Sequence, residues 1–325
     1  MQRRHLLKAG LSGMVIAANP VWTWAQAAYP NKPIMFINAF PAGGPSDVFI
    51  RVFAQRLGVV LGVPMVVVNR VGAGGAIGSR EAARSQPDGY TLQVATSSSL
   101  IIYPSSTSMP MYDPVNDFTP IAYLAKLSAT ICVQASLPVK TLREFVDLLK
   151  ANPGKYPYGS AGNGSFVHLA AELFKKQAGI ESLHVPYKGS APAMQALVGE
   201  EVAWICDVPS TSLPFYESAK IKILALCSDV RSKVMPNIPT AVEQGFPGMV
   251  ANTINFFVAP AGSPRNVVDT LNKAAMRVMN QEDFLKQLRS QGVEPVTSAT
   301  PEQTADLIKA EIAHWLPIVQ ATIKE

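Results

Sequence analysis

Cysteine and histidine are scarce in this 325-residue chain, three of one and four of the other, and that scarcity removes several kinds of chemistry. Three cysteines, at 132, 206 and 227, cannot form the framework of a small disulfide-stapled domain. Each lies in an apolar, strand-like stretch such as Thr130-Ile131-Cys132-Val133 and is read as a small core residue. Cys206 and Cys227 could instead pair in an oxidising compartment. No histidine has a His or Cys partner at ligand spacing, so neither a metal site nor a cofactor is expected. Charge is thin as well: 16% of residues are charged, and the basic ones form no run that could track a polyanion, which excludes nucleic acid as the expected partner. No apolar run reaches the ~20 residues needed to span a bilayer. A Gly-x-Ser-x-Gly nucleophile elbow and a Lys-bearing phosphate loop are also missing.

Apolar residues, by contrast, make up 48% of the chain, enough at this length for two cores and therefore two lobes. Arg3, Arg4 and Lys8 precede an apolar stretch over 9–18, and Ala25-Gln26-Ala27 offers a small-residue cleavage site, so residues 1–27 read as an export signal. Their order is similar to the twin-arginine pattern, with an ordinary secretory signal as the alternative; both lead out of the cytoplasm. Taking three basic residues from the 28 leaves the rest of the chain with 25 against 23 acidic ones, a nearly neutral protein.

Beyond the signal, short apolar runs alternate with helical periodicity, the pattern of an α/β protein with parallel strands and flanking helices. Strands are predicted over 34–39, 65–69, 91–95, 121–124, 129–134, 202–206, 223–227 and 254–259. Val48, Phe49, Val52, Phe53, Leu57, Val60 and Leu61 recur at steps of three and four, predicting one helix face. Phe166, Leu169, Ala170, Leu173 and Phe174 predict another, with Gly179 as its stop. A third runs from a Thr141 cap to Asn152-Pro153-Gly154. Residues 265–325 read as several helices with little strand.

Twice, far apart, a strand leads into a glycine-rich turn and then an amphipathic helix: Phe40-Pro41-Ala42-Gly43-Gly44-Pro45-Ser46-Asp47, and Tyr158-Gly159-Ser160-Ala161-Gly162-Asn163-Gly164-Ser165. In each, Ser or Asp is placed to cap the helix while the glycines permit positive φ. A helix amino terminus carries about half a positive charge and unpaired N–H groups, so two such turns facing across a cleft would clamp a carboxylate without an arginine. Thr96, Ser97 and Ser98 end another strand and could bind the far end of the same molecule. A third cluster, Gly72-Ala73-Gly74-Gly75-Ala76-Ile77-Gly78, fails the dinucleotide fingerprint because Ile77 stands where the third glycine belongs. Ser165, His168 and Asp207 include the types of a hydrolytic triad, but without an elbow, and with His168 along the helix, this is a binding site and not an enzyme. Asp207 is expected either to select a donor group on the ligand or to cap a helix.

These turns, the second continued through Phe166-Val167-His168-Leu169, with Tyr29-Pro30-Asn31-Lys32-Pro33-Ile34, Gly72-Ala73-Gly74-Gly75, Pro87-Asp88-Gly89-Tyr90-Thr91-Leu92, Tyr112-Asp113-Pro114, Asp117-Phe118, His184-Val185-Pro186-Tyr187-Lys188-Gly189, Pro239-Thr240 and Pro260-Ala261-Gly262, resemble the Bug-type solute-binding receptors of tripartite tricarboxylate transporters. The resemblance spans nearly the whole chain after residue 27. It implies a two-lobed periplasmic-binding-protein fold of the Venus flytrap kind, type II-like, with a parallel-strand-rich sheet flanked by helices in each lobe. One lobe would comprise residues 28–127 and 254–325, the other 128–253. It also implies a monomer that holds a small organic acid between residues 41–47 and 160–165, partly through waters, and passes it to a membrane permease. A receptor of this fold serving a membrane sensor is the second reading, and a periplasmic hydrolase the third. The chain departs from the family where Asn252-Thr253-Ile254-Asn255-Phe256 replaces a stretch that often carries Trp, and where Tyr103 precedes Pro104 in place of the usual Asn.

Overall fold

The computed structural model describes residues 29–322; the export signal read over 1–27 lies outside the described residues. In chain order the elements are β1 (Ile34–Asn38), α1 (Pro45–Leu61), β2 (Met65–Asn69), α2 (Ala76–Ala83), β3 (Thr91–Thr96), α3 (Tyr103–Ser105), β4 (Phe118–Ser128), β5 (Thr130–Gln134), α4 (Leu142–Ala151), β6 (Tyr158–Ser160), α5 (Phe166–Ala178), β7 (His184–Pro186), α6 (Ser190–Val198), β8 (Trp204–Asp207), α7 (Pro209–Glu217), β9 (Ile221–Leu226), β10 (Asn252–Pro260), α8 (Arg265–Met279), α9 (Glu282–Ser290), β11 (Glu294–Pro295) and α10 (Pro301–Thr322). They form two α/β lobes, each around one sheet. The first sheet has the order β11-β4-β10-β3-β1-β2, the second β7-β6-β8-β5-β9.

Both sheets are mixed, which limits the parallel pattern read from the sequence. β1 pairs in parallel with β2 and β3, and β6 with β7 and β8. β10 runs antiparallel to β3 and β4, and β5 antiparallel to β8 and β9. The antiparallel strands are those by which the chain crosses between sheets. It leaves the first along β4 and returns along β10, so the two crossing strands must run in opposite directions. At the crossing the amide of Ala129 bonds to Ala251 O at 2.9 Å, and Ile254 N donates to the buried Ser97 hydroxyl at 3.0 Å. Ser97 therefore braces the crossing between the sheets.

Core packing follows residue type. Phe36 on β1 stacks on Phe257 of β10, with centroids 5.5 Å apart, and Phe53 of α1 meets both rings edge-on. Phe145, Phe174 and Trp204 make the corresponding cluster in the second lobe. Burying each such ring contributes about 1.5–3 kcal/mol. α1 turns a slightly different face inward than its periodicity suggests. Phe49, Ile50, Phe53, Ala54 and Leu57 are buried, whereas Val48 is 44% exposed. The buried Asp47 sets this rotation by pointing into the protein one residue before Val48. α5 buries the five positions expected of it and ends at Gly179 in the left-handed region. α4 is capped by Thr141, whose hydroxyl accepts from Glu144 N. The three cysteines are buried free thiols.

Candidate functional site

Parallel strands deliver the functional turns to one edge of each sheet. β1 and β3 run side by side, so the turn after Asn38 and the Thr96-Ser97-Ser98 segment both leave the carboxyl ends of their strands. In the other lobe β6 and β8 do the same for the second turn and for Asp207. In open α/β sheets ligands bind outside these carboxyl ends.

The first turn is organised by Asp47, although not as the helix cap its spacing suggests. Pro45 occupies the first helical position and moves the cap to Gly44, which makes no side-chain cap bond. Asp47, one turn inside, folds back. Its carboxylate accepts from Gly43 N at 3.0 Å, Asn38 Nδ2 at 2.9 Å, Asn69 Nδ2 at 2.8 Å and Arg51 Nε at 2.8 Å. Asn38 and Asn69 are register partners at the ends of β1 and β2, so both strands present a donor at the same height. Burial alone would raise the Asp47 carboxyl, but Arg51, Asn69, the Gly43 amide and Asn38 outweigh it and hold the group well below the carboxylate range. With Gly43 committed inward, the amides of Ala42, Ser46 and Asp47 make no hydrogen bond among the described residues. Phe40 N bonds to Asn38 Oδ1, and Pro41, Ala42 and Gly43 are exposed.

The cluster over 72–78 is a packing device behind this turn. A Cβ at Gly78 would stand 2.9 Å from Ala39 Cα, and one at Gly75 2.6 Å from Ser99 Cβ and 3.3 Å from Phe40 Cζ. Glycine thus lets α2 and its leading turn press against the first turn and the Ser99 segment.

The second turn behaves as its sequence suggests at Ser165, which caps α5 by accepting from His168 N at 3.3 Å and itself donates to Gly162 O at 2.7 Å. Its glycines are more committed than sequence shows. Gly162, at φ 115°, donates to Ser160 Oγ at 3.1 Å, and Gly164, at φ 72°, donates to His168 Nδ1 at 3.1 Å. The amides of Ala161, Asn163 and Val167 make no hydrogen bond among the described residues. The amino end of α5 also touches the other lobe: Phe166 N donates to Ser98 Oγ at 3.4 Å, and its ring meets Trp315 of α10 at 5.6 Å. Contacts therefore run from Phe40 through Gly75 and the Ser98–Ser99 segment to α5, setting the two turns on either side of one short stretch of chain.

Thr96 Oγ1 lies 3.4 Å from Ser99 N and Ser97 braces the strand crossing, leaving Ser98 as the hydroxyl of this segment that reaches the second turn. No triad forms, because His168 Nδ1 is engaged with Gly164 and not with Ser165. Asp207, 1% exposed, accepts from Val208 N at 2.7 Å through one oxygen, while Oδ2 is buried without a hydrogen-bond partner. Desolvation pushes this carboxyl up to about 7; the Val208 amide and the neighbouring Ser190 hydroxyl oppose the rise without giving Oδ2 a bonded partner. Sequence reasoning missed His184, which stacks on His168 at 4.2 Å and lies with Nε2 2.6 Å from Ser160 Oγ. Apart from these turns, a groove of about 560 Å³ opens between α1 and β2, lined by Ala54, Gly58, Val59, Val63, Met65 and Arg51; its one charged group is already paired with Asp47.

Residues 49–323 match the sequence model of the tripartite tricarboxylate transporter family receptor. The chain is 35% identical over 296 residues to protein BugT of Bordetella pertussis, covering 90% of each. It superposes on the structure of a periplasmic transporter with a TM-score of 0.84 at 38% identity, covering 91% of this chain and 99% of that one. A second structure, R. palustris Rpa4515 with adipate, gives 0.83 at 31% identity, with 91% and 98% covered. No described helix is long and apolar enough to cross a membrane. With the fold, the mixed sheets and nine-tenths of the length in agreement, the chain belongs to the tripartite tricarboxylate transporter receptor family, whose members are periplasmic solute-binding receptors and not enzymes.

Proposed function

We propose that this receptor captures a small organic carboxylate between its two glycine-rich turns and delivers it to a membrane permease of the tripartite tricarboxylate type. The observation that carries the reading is the set of unbonded amides at two helix amino termini, Ala42, Ser46 and Asp47 on one side and Ala161, Asn163 and Val167 on the other. Two dipoles aimed at one anion suffice without a cation: four or five charge-assisted hydrogen bonds at ~1.5–3 kcal/mol each offset the ordering cost and leave about −8 kcal/mol, micromolar affinity. Phe40, Pro41, Gly43 and Gly44 shape the first wall, and Ser160, Gly162, Gly164 and Ser165 the second. Ser98 closes the floor, with Thr96 and Ser97 supporting it from behind, and Asp207 offers its unpartnered oxygen to a donor group on the ligand. The adipate seen on the related Rpa4515 supports a dicarboxylate-sized molecule. The receptor acts as an exported monomer, its signal removed near Ala27, and needs no cofactor.

A thermal-shift screen of the chain from residue 28 against succinate, malate, adipate and benzoate tests this reading. At 100 times its Kd a ligand adds about 2.7 kcal/mol to stability, so one acid should raise the melting temperature by several degrees, and its uncharged amide should not. Equal shifts for acid and amide would remove the anion clamp from consideration.

A further inference from the structure

His168 and His184 are stacked aromatic rings, one bonded to a glycine of the second turn and the other to Ser160, which holds a second glycine, and ligand capture leaves that arrangement unexplained. His168 Nδ1 accepts the Gly164 amide at 3.1 Å. That atom therefore carries no proton, and the ring is the neutral Nε2–H tautomer. His184 Nε2 meets Ser160 Oγ at 2.6 Å, and the same hydroxyl accepts Gly162 N at 3.1 Å. The rings lie 4.2 Å apart and within 18° of parallel, and His184 stacks in turn on Tyr158 at 4.8 Å. The two φ > 0 glycines that shape the turn are thus both fixed by imidazoles, one directly and one through Ser160. We propose that His168 and His184 are positioning residues that hold the second turn in its anion-receiving shape only while both rings are neutral, so that the receptor loosens its grip as its surroundings acidify.

The sign follows from the donor count. A proton on His168 Nδ1 would set N–H against the Gly164 N–H, breaking the bond and forcing the turn to rearrange. His184 alone could keep its contact with Ser160 by donating, but two cationic rings at stacking distance repel. The groups facing the pair are Glu172 and Lys175 on α5 and Tyr158 on β6, with Cys206 of β8 beyond Tyr158. Glu172 is occupied, accepting from Lys175 Nζ at 2.7 Å and from the Tyr158 hydroxyl. Desolvation lowers His168 against the opposing pull of Glu172, with Lys175 adding to the fall; desolvation, His168 and Lys175 likewise outweigh Glu172 and lower His184 to about 4. The formed turn therefore binds fewer protons than the released one. Its grip is complete above the ordinary histidine value of 6.5 and weakens as pH falls from there toward 4.

This inference rests on the reading of the site as an acid clamp, and the experiment separates the two. Affinity for the tightest binder among succinate, malate, adipate and benzoate is measured from pH 7.5 to 5.0 and corrected for the ligand's own titration, because the second carboxyl of a dicarboxylate protonates within that range. The parent should lose about tenfold across that range. His168→Ala should bind at least tenfold more weakly than the parent at pH 7.5. His168→Asn, whose Oδ1 can stand in for Nδ1 and does not titrate, should restore most of that loss and flatten the profile. In the ligand-free protein, the Gly164 amide resonance should move with the titration of His168 nitrogen. If no acid in the panel binds, the clamp reading fails while the resonance still decides the positioning role. An immobile Gly164 amide, or His168→Ala binding within twofold of the parent, overturns the proposal.

Discussion

Gly164→Asp should weaken acid binding at least 100-fold while leaving the melting temperature of the ligand-free protein within a few degrees of the parent. Gly164 sits at φ 72° immediately before the cap of α5, and Asp is among the residues that tolerate this region at modest cost. The backbone has no strong reason to move. The new carboxylate, however, is tethered beside the same amino terminus that is meant to receive the ligand, next to the unbonded Asn163 and Val167 amides. An anion on the chain competes at high effective concentration and repels the one in solution. Isothermal calorimetry against the best acid of the screen reads the effect. Binding within threefold of the parent would mean that the ligand's charge does not rest on α5.

Asp47→Ala should be the most destabilising substitution at the site, by about 1–3 kcal/mol, the cost of leaving buried donors without an acceptor, since the half-exposed Arg51 is screened by solvent. The carboxylate satisfies Asn38, Asn69, Gly43 N and Arg51 together, and without it four donors, two of them at the ends of β1 and β2, lose their acceptor. The pH dependence has a definite sign. The folded carboxyl lies below its ordinary value of 3.8, so its contribution is complete above about pH 4 and is lost as pH falls through the folded value. Denaturant melts should show a wide gap between parent and variant at pH 7 that narrows toward pH 2. A constant gap would show that Asp47 acts through packing and not through its charge.

Much of this was readable in the residues, and the shortfalls have physical causes. β1, β2 and β10 announce themselves as apolar runs bounded by turn residues, and α4 and α5 carry both period and caps. β6, β7 and β11 span only two or three residues. Tyr158-Gly159-Ser160 and His184-Val185-Pro186 lack the length for an alternating signal, and each strand exists because a neighbour offers it a ladder. Asp47 was visible as a functional residue but its direction was not, since Pro45 fixes where the helix begins and Asn38 and Asn69 come together only through the β1–β2 register. His168 and His184 lie sixteen positions apart on different elements. Nothing in sequence pairs them, although both fall within the family motifs. Which amides of a glycine-rich turn are free is likewise a tertiary property: Gly43, Gly162 and Gly164 all spend their N–H groups inside the protein, and the non-glycine neighbours carry the open ones.

The shared feature of both turns is that their glycines shape the backbone while other residues' amides are left unbonded, and on the proposed reading it is these that receive the anion. A crystal structure of the receptor with the tightest-binding acid of the panel tests that division most directly. One ligand carboxylate should lie within about 3.2 Å, directly or through a single water, of an amide from Ala42, Ser46 or Asp47 and of one from Ala161, Asn163 or Val167. A carboxylate held by one lobe alone, or seated in the groove between α1 and β2, would contradict the account.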